Sequence, residues 1–133
     1  MRTETITVFG EPKGKARPRF FRGHAYTPKA TREYEKLFAE TWGDAEPFEG
    51  AIYVNVAAFF KIPKSATKAT AARMRARELL PLKKPDTDNV IKSVLDGLNG
   101  VAYRDDSQVA KIKAFKVYDD QPRVEVTISE LVE

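Results

Sequence analysis

Six charged side chains in the second half of the chain stand at spacings that suit chemistry: Asp86, Asp88, Lys92, Asp96, Asp105 and Asp106. Asp86-Thr87-Asp88 follows Pro85. In an extended segment residues i and i+2 point the same way, so these two carboxylates can share one site. They sit where a helix is expected to begin, and negative charge is stabilised there. Lys92 is i+4 from Asp88 on that helix and can reach the same site. Asp105-Asp106 comes after a short link and folds back against the helix start if the strand opening near Gln108 runs beside it. Two or three converging carboxylates form a hard-cation site, and Mg2+, which keeps several waters and takes few carboxylates, suits it. That is the apparatus of metal-assisted phosphodiester hydrolysis. Each residue alone has a plainer reading: Asp88 as a helix N-cap, Asp105-Asp106 as a turn, Lys92 as a solvated helix residue. The combination, preceded by Lys83-Lys84, is harder to explain as structure.

Charge is distributed in blocks. Residues 11–32 hold seven Lys/Arg against one acid, and residues 61–84 hold eight against one. Residues 33–60 hold one against six, and residues 86–133 hold six against ten. Basic blocks of this kind suit a polyanion such as nucleic acid, with solvated helix and loop faces as the alternative. The candidate phosphate contacts are Lys15, Arg17 and Arg19 in the first block and Lys64, Lys68, Arg73 and Lys84 in the second.

The 133 residues make one ordinary domain, 1–133, with 42% hydrophobic and 11% aromatic residues to build a core. With no cysteine, disulfides, thiolate zinc sites and thiol nucleophiles are excluded. The single histidine, His24, excludes a His-rich metal site. The longest apolar run, Val56 to Phe60, is far shorter than the ~20 residues of a membrane span. The first residues open no apolar signal segment, so the expected location is the cytoplasm.

The elements that would position these residues read as β-α-β-α-α-β-β. Glu4 to Phe9 alternates as a strand. Residues 10–25, broken by Pro12, Gly14, Pro18 and Gly23, read as a basic loop with a short extended piece at Phe20-Phe21. Thr27-Pro28 marks a helix start, and Tyr34, Leu37, Phe38 and Trp42 form its apolar stripe. Ala51 to Phe60 is apolar on both faces and reads as a central strand. Ser65 is placed to cap a helix running to about Leu80, stopped by Pro81. The next helix runs from near Asp88 to Leu98, burying Val90, Ile91, Val94, Leu95 and Leu98. Strands follow at about 108–118 and 123–131, with Asp119-Asp120-Gln121-Pro122 as a hairpin turn between them. The expected fold is therefore α+β: a single compact domain with a mixed sheet of about four strands and about three packed helices.

The run Lys84-Pro85-Asp86-Thr87-Asp88-Asn89-Val90-Ile91-Lys92-Ser93-Val94-Leu95-Asp96-Gly97-Leu98 resembles the central signature of the RusA-type Holliday junction resolvases. These enzymes are common in phages and prophages. The continuation through Asn99-Gly100-Val101-Ala102-Tyr103-Arg104-Asp105-Asp106-Ser107-Gln108-Val109 is similar too. So are Gly14 to Phe20, Tyr26-Thr27-Pro28 and Pro63-Lys64-Ser65. The resemblance implies a dimeric, Mg2+-dependent endonuclease that resolves four-way DNA junctions in recombination and repair. It implies that Asp86, Asp88 and Asp106 are the metal ligands and that Lys92 is the catalytic lysine, with Asp105 a secondary candidate. The helix at 65–80 carries more arginine and fewer lysines than is usual in the family. The rival reading is a non-catalytic protein that holds branched DNA; the complete acidic triad favours the enzyme. A hydrolase of small phosphate compounds fits less well, because the two basic blocks exceed what a small substrate needs.

Overall fold

In the computed structural model, which describes residues 1–131, the strongest β sequence lies at the centre of the sheet. The main sheet contains β1 (Thr3–Phe9), β4 (Ile52–Lys61), β5 (Val109–Asp119) and β6 (Arg123–Glu130), in the order β1-β6-β4-β5. β6 is antiparallel to both β1 and β4, whereas β5 is parallel to β4, so the sheet is mixed. Two short strands, β2 (Arg19–Phe21) and β3 (His24–Tyr26), form a separate hairpin. The helices are α1 (Lys29–Trp42), α2 (Lys68–Arg75) and α3 (Thr87–Leu98). A single 3₁₀ turn, Asp106–Gln108, leads into β5. The architecture is the expected α+β one. No helix among the described residues is long and apolar enough to cross a membrane.

β4 is central because both its faces are apolar. Ile52, Val54, Val56, Ala58 and Phe60 are buried beneath α1 and α3, and Ala57 and Phe59 are buried on the opposite face. Tyr34, Phe38 and Trp42 of α1 and Val90, Val94 and Leu98 of α3 complete the main core. The two helices cross closely at Gly97. A Cβ there would lie 2.9 Å from the main-chain oxygen of Glu35 and 3.0 Å from Cβ of Phe38.

Several local expectations need correction. β5 and β6 are not a hairpin, because β4 lies between them and pairs with each. The 120–122 segment carries the chain past the end of β4, where Asp120 receives Arg75 and Asp119 receives Arg123. α2 is shorter than 65–80. Thr67, not Ser65, caps it by accepting from the Thr70 main-chain N–H, and Arg77 ends it by adopting a left-handed φ of 65°. Thr27 does not cap α1; Pro28 stands at the cap position and provides no side-chain bond. Leu37 points away from the core and is 43% exposed. On α3, Ile91 and Leu95 are only half-buried, and Ser93 and Gly97 are buried in their stead.

Candidate active site

α3 begins at a sharp change of direction. The Lys84–Pro85 peptide is cis, and Asp86 occupies the N-cap position in extended geometry (φ −66°, ψ 155°). An N-cap aspartate ordinarily accepts a main-chain N–H from the first turn. The Asp86 carboxylate makes no such bond. Asp86, Asp88 and Lys92 are all exposed, and none has a hydrogen bond or ion pair to a described side chain. Asp86 lines an open hollow of about 430 Å³ with Leu80, Leu82, Phe115 and Lys116. The Lys116 ammonium donates to the main-chain oxygen of Lys83 at 2.7 Å and so ties β5 to the strap that delivers Asp86. Sequence reasoning did not single out Lys116, since its pairing with residue 83 is set by tertiary structure.

The segment after α3 turns back onto the second half of that helix, at Leu95, rather than onto its start. Tyr103 is buried and its hydroxyl donates to the Leu95 main-chain oxygen at 2.6 Å. Burial pushes the phenol far above its usual value, and the negative charges of Asp106, Asp96 and Asp105 push it the same way. The two adjacent aspartates have different surroundings. Asp105 accepts from the Ser107 main-chain N–H at 3.1 Å, while the Gln108 side-chain oxygen accepts from the Asp105 N–H at 3.2 Å. The bonds from Ser107 hold the Asp105 carboxyl below the ordinary carboxylate range. Gln108 also donates to the main-chain oxygens of Phe48 and Gly50, fixing the turn to the sheet end. Asp106 has no hydrogen-bonded partner for its carboxylate among the described residues. Its oxygens are free for a ligand, whereas those of Asp105 already serve the turn.

The side chains Asp86, Asp88 and Asp106 offer only carboxylate oxygen, the donor type that hard cations such as Mg2+ take. Their lack of hydrogen-bonded partners among the described residues fits that use. Among the described residues no three His, Asp or Glu side chains are drawn together closely enough to hold a metal unaided. Asp86 and Asp88 come from the start of α3 and Asp106 from the turn before β5.

The basic loop docks beside this site. A Cβ on Gly14 would lie 2.9 Å from Cβ of Pro85 and 3.0 Å from Cβ of Asn89, so only glycine allows the approach. The Lys15 main-chain N–H donates to the Asn89 oxygen at 3.2 Å. Lys15 differs from the outward-reaching side chain expected of a loop. Its ammonium is turned inward, 2.5 Å from Glu35 on α1 and 3.1 Å from Asp96 on α3. Desolvation alone would lower its pKa, but the bonds to Glu35 and Asp96 raise it above the usual lysine value. Asp96 is thereby committed to a structural pair. Arg17 and Arg19 are exposed and have no ion-pair partner among the described residues, as are Lys64, Lys68 and Lys84. Arg73 stands 4.0 Å from Glu78, an exposed and weak contact.

Comparison with known proteins places this arrangement in context. A family model described as Endodeoxyribonuclease RusA matches residues 10–129. The chain is similar to the Bacillus subtilis (strain 168) protein called Uncharacterized protein YqaN, with 34% identity over 135 residues, covering 95% of each chain.

Proposed function

Because the chain belongs to the RusA endodeoxyribonuclease family, we propose that it is a Mg2+-dependent, structure-selective endonuclease that resolves four-way DNA junctions in recombination and repair. Residues 1–133 act as one domain. The observation that carries this reading is the start of α3, where exposed carboxylates without partners among the described residues stand beside a basic loop held by Gly14 and Lys15. Asp86, Asp88 and Asp106 would hold Mg2+, which when bound supplies Lewis-acid polarisation of the phosphoryl oxygen and acidifies a water. Lys92, one helical turn beyond Asp88, brings a positive charge to the scissile phosphate as negative charge develops there. Lys116, bonded to the Lys83 oxygen, ties β5 to the segment that leads into Asp86. Arg17, Arg19, Lys64, Lys68, Arg73 and Lys84 contact phosphates and orient the duplex arms. A homodimer suits a two-fold symmetric junction that needs one nick in each of two strands.

The test is cleavage of a mobile four-way junction alongside a linear duplex of the same sequence, with Mg2+ or with a chelator. Paired nicks in the junction, dependent on Mg2+ and absent from the duplex, are expected. Tight junction binding with no nick under any divalent cation would overturn the reading in favour of a branched-DNA-binding protein.

A further inference from the structure

We propose that the β2–β3 hairpin is a base-stacking element that inserts its aromatic face against unstacked bases at the branch point. This rests on the junction-nuclease reading of the neighbouring site.

The hairpin has a well-defined turn and register and is left uncovered. Its two-residue turn places Arg22 at φ 52° and Gly23 at φ 79°, and two successive positive φ values match the right-handed twist of paired strands. The register pairs Arg19 with Tyr26, Phe20 with Ala25 and Phe21 with His24. Directly opposed residues share a face. One face therefore carries Phe21, His24, Tyr26 and Arg19, and Phe20 lies on the other. Phe20 is 74% exposed, Phe21 65% and Tyr26 46%. Phe21, Arg22, His24 and Tyr26 line a shallow open hollow of about 410 Å³. The Arg22 guanidinium lies 5.3 Å from the Phe21 ring centre, so cation and ring are presented together. An isolated two-stranded hairpin is at best marginally stable in water, and bare aromatic rings on one add an unfavourable exposure that a partner would relieve.

Charge selects the partner. From residue 12 to residue 32 there is no acid, and Arg17, Arg19 and Arg22 have no ion-pair partner among the described residues. A second copy seated face to face on this hairpin would bring like charges together in a two-fold contact. A nucleic acid supplies both complements at once, phosphates for the arginines and flat bases for the rings. Position agrees. Lys15 is bonded to Asn89, and four residues of chain span at most about 14 Å, so Arg19 lies within about that distance of the first turn of α3. An intact duplex hides its base faces in the stack, whereas a branch point exposes them. The hairpin would thus distinguish a junction from a duplex, while the arginines bind both.

The experiment compares wild type with Phe21→Ala/Tyr26→Ala and with Arg19→Gln/Arg22→Gln, all in chelator so that nothing is cut. Affinities are measured for a four-way junction, a linear duplex and a single strand, each with 2-aminopurine at the branch position or its equivalent. Sedimentation reports oligomeric state, and circular dichroism reports folding. The aromatic variant should lose about ten-fold or more in junction and single-strand affinity, with duplex affinity and salt slope unchanged. It should also lose the 2-aminopurine response. The arginine variant should weaken all three ligands together and flatten the salt slope. Phe21→Trp/Tyr26→Trp should keep the wild-type preference. Wild-type junction and single-strand affinity in the aromatic variant would overturn the proposal. Dissociation of a dimer by the aromatic variant, with DNA affinity falling only in step, would overturn it in favour of a second copy. If wild type shows no preference for the junction over duplex, the junction-nuclease reading fails, and the single-strand result alone decides whether the hairpin stacks on bases.

Discussion

The two ends of α3 carry similar charges put to opposite use. At its start, Asp86, Asp88 and Lys92 are exposed and have no side-chain partners among the described residues. Toward its end, Asp96 is bound by Lys15, which also holds Glu35, beside the close helix crossing at Gly97. On the proposed reading, the bare end is the one that meets the metal and the phosphate, and the paired end holds the helices together. The same division recurs in Asp105 and Asp106, of which one closes the turn and the other stays free.

The comparison breaks most sharply through the acids. Asp86→Asn, Asp88→Asn and Asp106→Asn should each reduce junction cleavage by more than about 10³-fold, a size typical of losing a central electrostatic group. Junction binding and the melting temperature should stay near wild type. Asp105→Asn should be milder, because asparagine also caps. Gel assays of cleavage and of binding on the same preparations decide this. Lys92→Ala should slow single-turnover cleavage by about 10²-fold with binding little changed. A rate near wild type would mark Lys92 as a solvated helix residue.

The paired end should respond in stability. Lys15→Met removes the cation between Glu35 and Asp96 and leaves two partly buried carboxylates facing each other. A loss of about 1–3 kcal/mol is expected, below the full penalty of a deeply buried pair because both acids keep some solvent contact. Thermal melts measure it. Arg17→Gln/Arg19→Gln should instead leave the melt unchanged and lower the slope of log affinity against log salt by roughly 2. The pH dependence follows from the raised Lys15 value. A cation whose pKa is raised by folding stabilises fully below its unfolded value and loses that contribution as pH rises through the folded one. Wild type should therefore lose stability more steeply than Lys15→Met above about pH 10.5. Tyr103, also raised by folding, adds to the alkaline loss in both proteins. The smallest expected effect is at Ser93. Its hydroxyl is buried without a partner among the described residues, so Ser93→Ala should be neutral or stabilise by up to about 1 kcal/mol.

Much of this was legible from the order of residues. The apolar run of β4 reports a strand buried on both faces, and the spacing of Val90, Val94 and Leu98 reports the buried face of α3. The bare start of α3 follows from Asp86-Thr87-Asp88 after proline. Three features needed tertiary information. The insertion of β4 between β5 and β6 is invisible to a reading that pairs neighbouring strands across a short turn. The sequence shows the β2–β3 hairpin only as an extended piece at Phe20-Phe21, because its turn is Arg-Gly, where Asn-Gly is the stronger hairpin signal. Lys15 read as a DNA contact because its partners lie at residues 35 and 96, and distant partners leave no local signal.

The division between the two ends of α3 is tested most directly by titrating Mn2+, an oxygen-seeking stand-in for Mg2+, into the protein and counting bound ions by electron paramagnetic resonance. Wild type and Asp96→Asn should bind Mn2+ alike, whereas Asp86→Asn and Asp88→Asn should each lose most of it while remaining folded by circular dichroism. Equal Mn2+ binding by Asp88→Asn and wild type, or loss of binding in Asp96→Asn alone, would contradict the account.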